Sequence, residues 1–347
     1  MSGDLERRYR RVLRLLPRYY RDEWEEDMVA AFVDSWLTGD PEADEYITRV
    51  AGPSEAEVAS VAGLAVRLYL GGAGTPRRYF AWGQAIRGAV LAVTLAYAMQ
   101  GLAVLVFLAR SRRLFGWLPA PPWAMHAGPL YLAWPAVWYL ADCAWIVVFV
   151  ALVLGHYRTA RVVAAAAIVP DLVAFLQPQL TGTTNLPVGW PYLVLRDLVP
   201  VLAMIAFHQD APSAARLPWL LALPVGYLLV FVPLLALLGT GNSAWLPDFS
   251  GLCCLLVALA CLAHAPRTWS RQADGSGVWS LTLALLAAVA AAFRIVTLTA
   301  YLHDPHLLKV SLAELVILVA AAALVAPDAA RAQAATPAPP YPGTIAA

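Results

Sequence analysis

The chain has 347 residues, 61% of them hydrophobic and only 14% charged, with a formal net charge of +1; an ordinary soluble domain carries about 25% charged residues. The near-neutral balance excludes the dense positive face that a nucleic-acid partner needs, and the apolar excess excludes a wholly soluble protein. Charge is also unevenly placed: residues 1–80 hold 14 of the 23 acidic and 11 of the 24 basic groups, so a charged N-terminal part precedes a lipid-soluble body.

The first 70 residues read as four short helices. The first covers about 4–16, with Leu5, Tyr9, Val12, Leu13 and Leu16 on one face. Pro17 opens the second, where Tyr20, Trp24, Met28, Phe32 and Trp36 recur every fourth residue, a stripe expected to face a core while Asp22, Glu23, Glu25, Glu26 and Asp27 face water. Gly39 ends that helix, and Asp40-Pro41 starts a third with an N-cap acid and a first-turn proline. Gly52-Pro53 breaks it, and Ser54-Glu55-Ala56-Glu57 has the pattern of a capping box for a fourth helix, about 55–70, burying Val58, Val61, Leu64, Ala65 and Leu68. That helix is too short to span a bilayer, which takes about 20 residues. The Arg-rich first 20 residues contain no apolar core of a secretory leader.

Several residues here follow a familiar order: Leu16-Pro17, Arg21-Asp22-Glu23-Trp24-Glu25-Glu26, Gly39, then Val50-Ala51-Gly52-Pro53-Ser54-Glu55. Over about residues 5–70 the chain resembles the HAAS-type and permease-prefix domains, small helical modules at the cytosolic N-termini of bacterial membrane proteins. The resemblance implies a regulatory or interaction role and a cytosolic protein partner; it implies no catalytic residue. The body resembles uncharacterised actinobacterial multi-pass membrane proteins, and the 23 Arg against a single Lys, Lys309, fit a GC-rich bacterial genome.

Residues 71–83 are expected to form a hinge. Eight apolar stretches follow, about 84–109, 130–155, 160–178, 190–208, 216–239, 246–264, 277–300 and 306–326, each long enough to cross a hydrocarbon core of about 30 Å. The fold expected is therefore all-α, a polytopic membrane helix bundle with a small cytosolic N-terminal helical domain. After 327 the Ala/Pro-rich tail, with Pro337, Pro339, Pro340 and Pro342 around Tyr341, is expected to be disordered. Loop arginines set the orientation. With both termini in the cytosol, Arg77, Arg78, Arg87, Arg158, Arg161, Arg216, Arg267, Arg271 and Arg331 all fall inside, and loops 179–189 and 240–247 carry no basic residue. Arg110, Arg112 and Arg113 are the exception, falling outside after the first span. The expected location is a bacterial plasma membrane, with the lipid bilayer as the main partner.

Six ionisable residues fall inside these spans: Asp142, Asp171, Arg196, Asp197, Arg294 and Glu314. A charge at the centre of a spanning helix costs about 2.5–3.5 kcal/mol, so six without partners would cost about 15–20 kcal/mol, more than the stability of a typical domain. They must pair, face the bundle interior or touch water. Five of them lie at a similar depth below the outer boundary, with Asp142 deeper, which predicts an outward-opening polar pocket with Arg294–Glu314 and Arg196–Asp171 as candidate pairs. Two readings stand: structural ion pairs that lock helices together, or a ligand or ion site. Pro170, Pro200, Pro224 and Pro233 interrupt span backbones, and Pro170 directly precedes Asp171.

Other candidates are weaker. His303, Asp304 and His306 share one short loop and offer no fourth metal ligand; Trp134, Trp138, Tyr139 and Trp145 read as packing and interfacial anchors; Cys143, Cys253, Cys254 and Cys261 read as structural thiols. No zinc-protease, serine-elbow or phosphate-loop motif is present. No enzyme activity, cofactor or metal is therefore expected. The functional expectations are a regulatory or scaffold membrane protein with a cytosolic interaction module, or a transporter with an outward-facing polar pocket.

Overall fold

The protein, seen in a computed structural model, is described over residues 3–37, 40, 46, 50–71, 75–111, 135–173, 176, 189–208, 215–233, 249–269, 276–302 and 304–334. Every described element is helical. Two compact units divide the chain, the first running to Gly83 and the second from Gln84 to Ala335. The expected third N-terminal helix, Arg112, Arg113, His303, Trp134, the loops 179–188 and 240–247 and the tail beyond 334 lie outside the described residues.

In the first unit, α1 (Gly3–Leu13), α2 (Arg18–Trp36) and α3 (Glu55–Tyr69) share a core. Leu5, Tyr9, Leu13 and Leu16 meet Val29, Phe32 and Val33 of α2 and Val61, Ala65 and Leu68 of α3. The Tyr9 and Phe32 rings stack with centroids 4.0 Å apart. The capping box forms in full: the Glu57 N–H donates to Ser54 Oγ at 3.2 Å, and the Ser54 N–H donates to Glu57 Oε2 at 2.6 Å. Arg8 donates to the Ala51 carbonyl, tying α1 to the start of α3. On the surface, Arg10 donates to Glu26 at 2.7 and 2.8 Å; this contact holds the Glu26 carboxyl below its ordinary 4.5 and raises Arg10.

Four of the five residues of the stripe expected on α2 meet this core: Phe32 lies within it, and Tyr20, Met28 and Trp36 pack against it partly buried. Val29, Phe32 and Val33 are buried, while Trp24 remains 44% exposed.

The second unit carries the apolar helices. α4 (Arg77–Ser111) begins inside the segment expected to be a hinge, since residues 77–83 are already helical. It is followed by α5 (Pro135–Leu154), α6 (Tyr157–Ala167), an interrupted segment 189–206, α7 (Arg216–Gly226), α8 (Phe249–Trp269), α9 (Ser276–Leu298) and α10 (Pro305–Ala334). Four helical stretches are long and apolar enough to cross a membrane: Arg77–Val106, Val137–Leu154, Gly277–Leu298 and Pro305–Arg331. Two shorter apolar stretches are Arg216–Val230 and Ser250–Pro266.

The prolines explain the interruptions. α6 stops at Ala167, three residues before Pro170, which lacks the N–H that the Ala166 carbonyl would have used. Segment 189–206 passes from α-helix (Gly189–Leu193) to π-helix (Val194–Leu198), back to α-helix (Val199–Ala203) and then to a 3-10 turn (Met204–Ala206). The chain after α7 likewise relaxes into a π-helix, Tyr227–Phe231, three residues beyond Pro224. Pro327 behaves differently, and the boundary drawn there is corrected: α10 continues through it to Ala334. One proline forfeits one helical hydrogen bond, and the next turn is held by Asp328, bonded to Ser280 at 2.8 Å, and by buried Ala329.

Packing in this unit depends on small side chains. Cys254, Ala258 and Cys261 of α8, Leu283, Ala287 and Ala290 of α9, and Leu318, Ala321 and Val325 of α10 form one core. Their alternating three- and four-residue spacing puts a narrow stripe on each helix, and small residues let the backbones approach. At Gly101 of α4, an added Cβ would lie 2.3 Å from the Asp142 carbonyl of α5, so this crossing requires glycine.

Candidate functional site

The buried polar side chains of the second unit fall into layers and groups that the helix order explains. One layer joins α8, α9 and α10. Arg294 on α9 pairs with Glu314 on α10 and donates to Ser250 Oγ on α8 at 2.7 Å. Ser250 Oγ lies 3.2 Å from Thr297 Oγ1, which donates to the Arg294 carbonyl at 3.0 Å. Arg294, Glu314 and Ser250 are all buried. A Cβ on Gly251 would sit 2.5 Å from both Glu314 carboxylate oxygens, so the glycine makes the seat for the carboxylate.

A second layer lies at the other end of the same three helices. Ser280 of α9, fully buried, donates to Asp328 Oδ2 of α10 at 2.8 Å and stands 3.0 Å from His264 Nε2 of α8. Each helix contributes to both layers with the same 14-residue offset: Ser250 to His264, Ser280 to Arg294, Glu314 to Asp328. At 1.5 Å per residue the layers stand about 21 Å apart, bracketing the Cys254–Ala258–Cys261 core. No sequence motif links this His–Ser–Asp layer, because its members are 16 and 48 residues apart and match no catalytic spacing. Ser280 sits between the other two, which is not the order of a nucleophile, base and orienting acid.

The third group surrounds Arg196, on the π-helical turn. Its guanidinium lies 3.8 Å from Asp171 and 3.8 Å from the neighbouring Asp197. These are charge contacts beyond hydrogen-bond length. The Arg196 carbonyl has no helical donor four residues on, because residue 200 is proline. Tyr97 of α4 supplies one, its hydroxyl donating at 2.6 Å, and the Tyr97 ring packs on Trp145 with centroids 4.8 Å apart. Asp142 accepts from Gln100 at 3.4 Å and shares a small recess with Tyr97, Arg196 and Asp197. Beside it lies a cavity of about 260 Å³, almost wholly apolar, lined by Tyr97, Arg196, Cys253, Leu286 and Phe293 among others.

Two further arginines act at a helix end. Arg87 donates to the Ala206 carbonyl at 3.1 Å, and Arg161 donates to the carbonyls of Met204, at 3.3 Å, and Phe207. Cations at a helix C-terminus complement its dipole and satisfy its last carbonyls.

The six ionisable residues that the sequence set within apolar stretches are therefore placed in two groups: Arg294 with Glu314, and Arg196 with Asp171, Asp197 and, through the recess, Asp142. Tyr97, Gln100, Ser250 and Thr297 complete these groups without a sequence signal of their own, being polar residues scattered in apolar runs. Asp304 caps α10, accepting from the His306 and Leu307 N–H groups at 2.9 and 3.1 Å. Among the described residues no set of three or more His, Cys, Asp or Glu is disposed to hold a metal ion. Comparison with family models, with curated proteins and with solved structures returns no match.

Proposed function

We propose that this protein is a regulatory or scaffold component of a bacterial plasma membrane, with a cytosolic N-terminal module that binds a partner protein and a body of eight spans that anchors it. The observation that carries this reading is the separate core of the first unit, built from Leu5, Leu13, Phe32, Val61 and Leu68, with Trp24 left exposed. A large aromatic side chain on the surface of a folded unit is the kind of anchor that a partner buries. Cytosolic placement follows from the arginines flanking α4 and α6. The meeting of Arg87 and Arg161 with the end of segment 189–206 supports alternating spans, because it gathers two helix starts and one helix end at one side of the body. A photo-crosslinking amino acid in place of Trp24, in the full chain in native membranes, is expected to yield one discrete adduct. Absence of any adduct from exposed positions across α1, α2 and α3 overturns the reading.

A second reading, a transporter or permease-like protein, is favoured by one specific feature: the cavity beside Arg196 on a helix that breaks from α to π and back. π-turns of this kind recur at functional sites, and interrupted helices line transporter sites. Reconstituted protein that moves no solute class faster than an Arg196→Gln variant removes this reading and leaves the first intact.

A further inference from the structure

The first unit ends in a joint that carries aromatic and cationic side chains onto the start of an apolar helix. Tyr79, in the first turn of α4, has the Tyr19 ring centroid 5.3 Å away and the Tyr69 ring centroid 5.7 Å away. Arg78 lies over the Tyr79 ring at 4.6 Å and donates to its hydroxyl at 2.8 Å. Behind these rings the turn that ends α3 lies flush on α4. A Cβ on Gly83 would stand 1.8 Å from the Leu70 carbonyl oxygen, and one on Gly71, whose φ is +77°, would stand 2.9 Å from Phe80 Cα. No side chain fits at either position, so α3 meets the first turns of α4 backbone to backbone. Arg77 and Arg78 are exposed, Tyr69 is 43% exposed and Phe80 40%.

The stretch Arg77–Val106 is long and apolar enough to cross a membrane. The first turn of such a helix stands at the level of the lipid headgroups, which surround it on every side not covered by protein. Tyrosine with an apolar ring and a polar tip, and arginine on the cytosolic side, are the residues that favour this zone. A guanidinium also matches the phosphate geometry in two-point contacts. We infer that Tyr69, Arg77, Arg78, Tyr79 and Phe80 form a headgroup-binding surface that seats the N-terminal unit on the bilayer, with the phosphate of an anionic phospholipid as the ligand of Arg77 and Arg78. Over residues 1–80 acidic groups outnumber basic ones, 14 to 11, so the attraction is local to this turn.

The test uses the full chain in nanodiscs whose lipids carry a nitroxide on the headgroup. A bimane label is placed at Tyr69→Cys or, as a second variant, Phe80→Cys, and the unsubstituted protein supplies the background from the native cysteines. The control is Glu55→Cys, exposed at the far end of the same helix α3 as Tyr69, about 21 Å away by helical rise. Quenching at positions 69 and 80 is expected to exceed that at 55 by about two-fold or more, and to grow when phosphatidylglycerol replaces phosphatidylcholine. Arg77→Gln with Arg78→Gln is expected to remove that growth. Equal quenching at 55 and at both test positions overturns the proposal. Growth that persists in the double variant overturns the assignment of the two arginines as phosphate ligands.

Discussion

The two groups of charge in the second unit differ in three physical respects. Arg294 faces one carboxylate, with side-chain exposures of 2% and 6%, and a serine on a third helix takes another of its donors. Arg196 faces two carboxylates at 3.8 Å, with a third acid in the same recess, and Arg196 and Asp171 are 22% and 17% exposed. Its backbone is a π-turn beside a cavity rather than a regular helix in a close-packed core. A buried pair of matched charge, hydrogen-bonded and closed, does a packing job. A loose group with more acids than bases, on an interrupted helix, is where a membrane protein keeps room for chemistry or movement.

This contrast can be broken most directly at Arg294. Arg294→Leu alone removes the cation paired with buried Glu314, an outcome worth about 3–5 kcal/mol. A large fall in the thermal midpoint of the purified protein is the expected result. The double change Arg294→Leu with Glu314→Leu should recover most of the loss, since an apolar pair of similar volume is often neutral. A double variant as unstable as the single one would remove the structural assignment.

The next effect in size comes from the two fitted contacts. Gly251→Ala places a Cβ 2.5 Å from the Glu314 carboxylate and should cost about 1–3 kcal/mol. Tyr97→Phe removes the donor to the Arg196 carbonyl and should cost a similar amount, about 1–3 kcal/mol for an unsatisfied buried acceptor. Denaturation of both variants in one detergent gives the comparison. A Tyr97→Phe protein with unchanged stability would mean that the π-turn satisfies its own backbone.

Arg196→Gln sharpens the comparison from the other side. Its charge contacts are longer, at 3.8 Å, and Arg196 and Asp171 keep partial exposure although Asp197 is buried, so the expected stability loss is smaller than that of Arg294→Leu. A loss equal to that of Arg294→Leu would make both groups structural.

The smallest effect lies in the N-terminal unit. The Arg10 contact holds the Glu26 carboxyl below its ordinary 4.5, so its contribution is present at neutral pH and is lost as pH falls through the lowered value. Glu26→Gln should therefore lower the thermal midpoint slightly at pH 7, and by progressively less as the pH falls below 4.5. A difference that grows toward acid would reverse the sign of the argument.

Much of this arrangement was legible in the residues. The Ser54–Glu57 capping box, the first, second, seventh and eighth apolar stretches, and the choice of Arg294–Glu314 and Arg196–Asp171 as candidate pairs came from spacing and from the cost of charge in hydrocarbon. The α2 stripe was legible at Tyr20, Met28, Phe32 and Trp36, which meet the core, and failed at Trp24, which remains exposed. The tail boundary at 327 misled because one proline does not end a helix whose next turn is anchored by another element, here Ser280 bonded to Asp328. The His264–Ser280–Asp328 layer was invisible because no local pattern links residues on three different helices.

By itself the sequence determined the solvent and the secondary structure: long apolar runs can satisfy their backbone in lipid only as helices. It also determined that the buried charges need partners, because hydrocarbon offers none. Only the tertiary structure decided which partners they have. The equal 14-residue offsets in α8, α9 and α10 yield two polar layers only once the three helices lie side by side, and Tyr97 rescues the Arg196 carbonyl only because α4 passes the π-turn within hydrogen-bond reach.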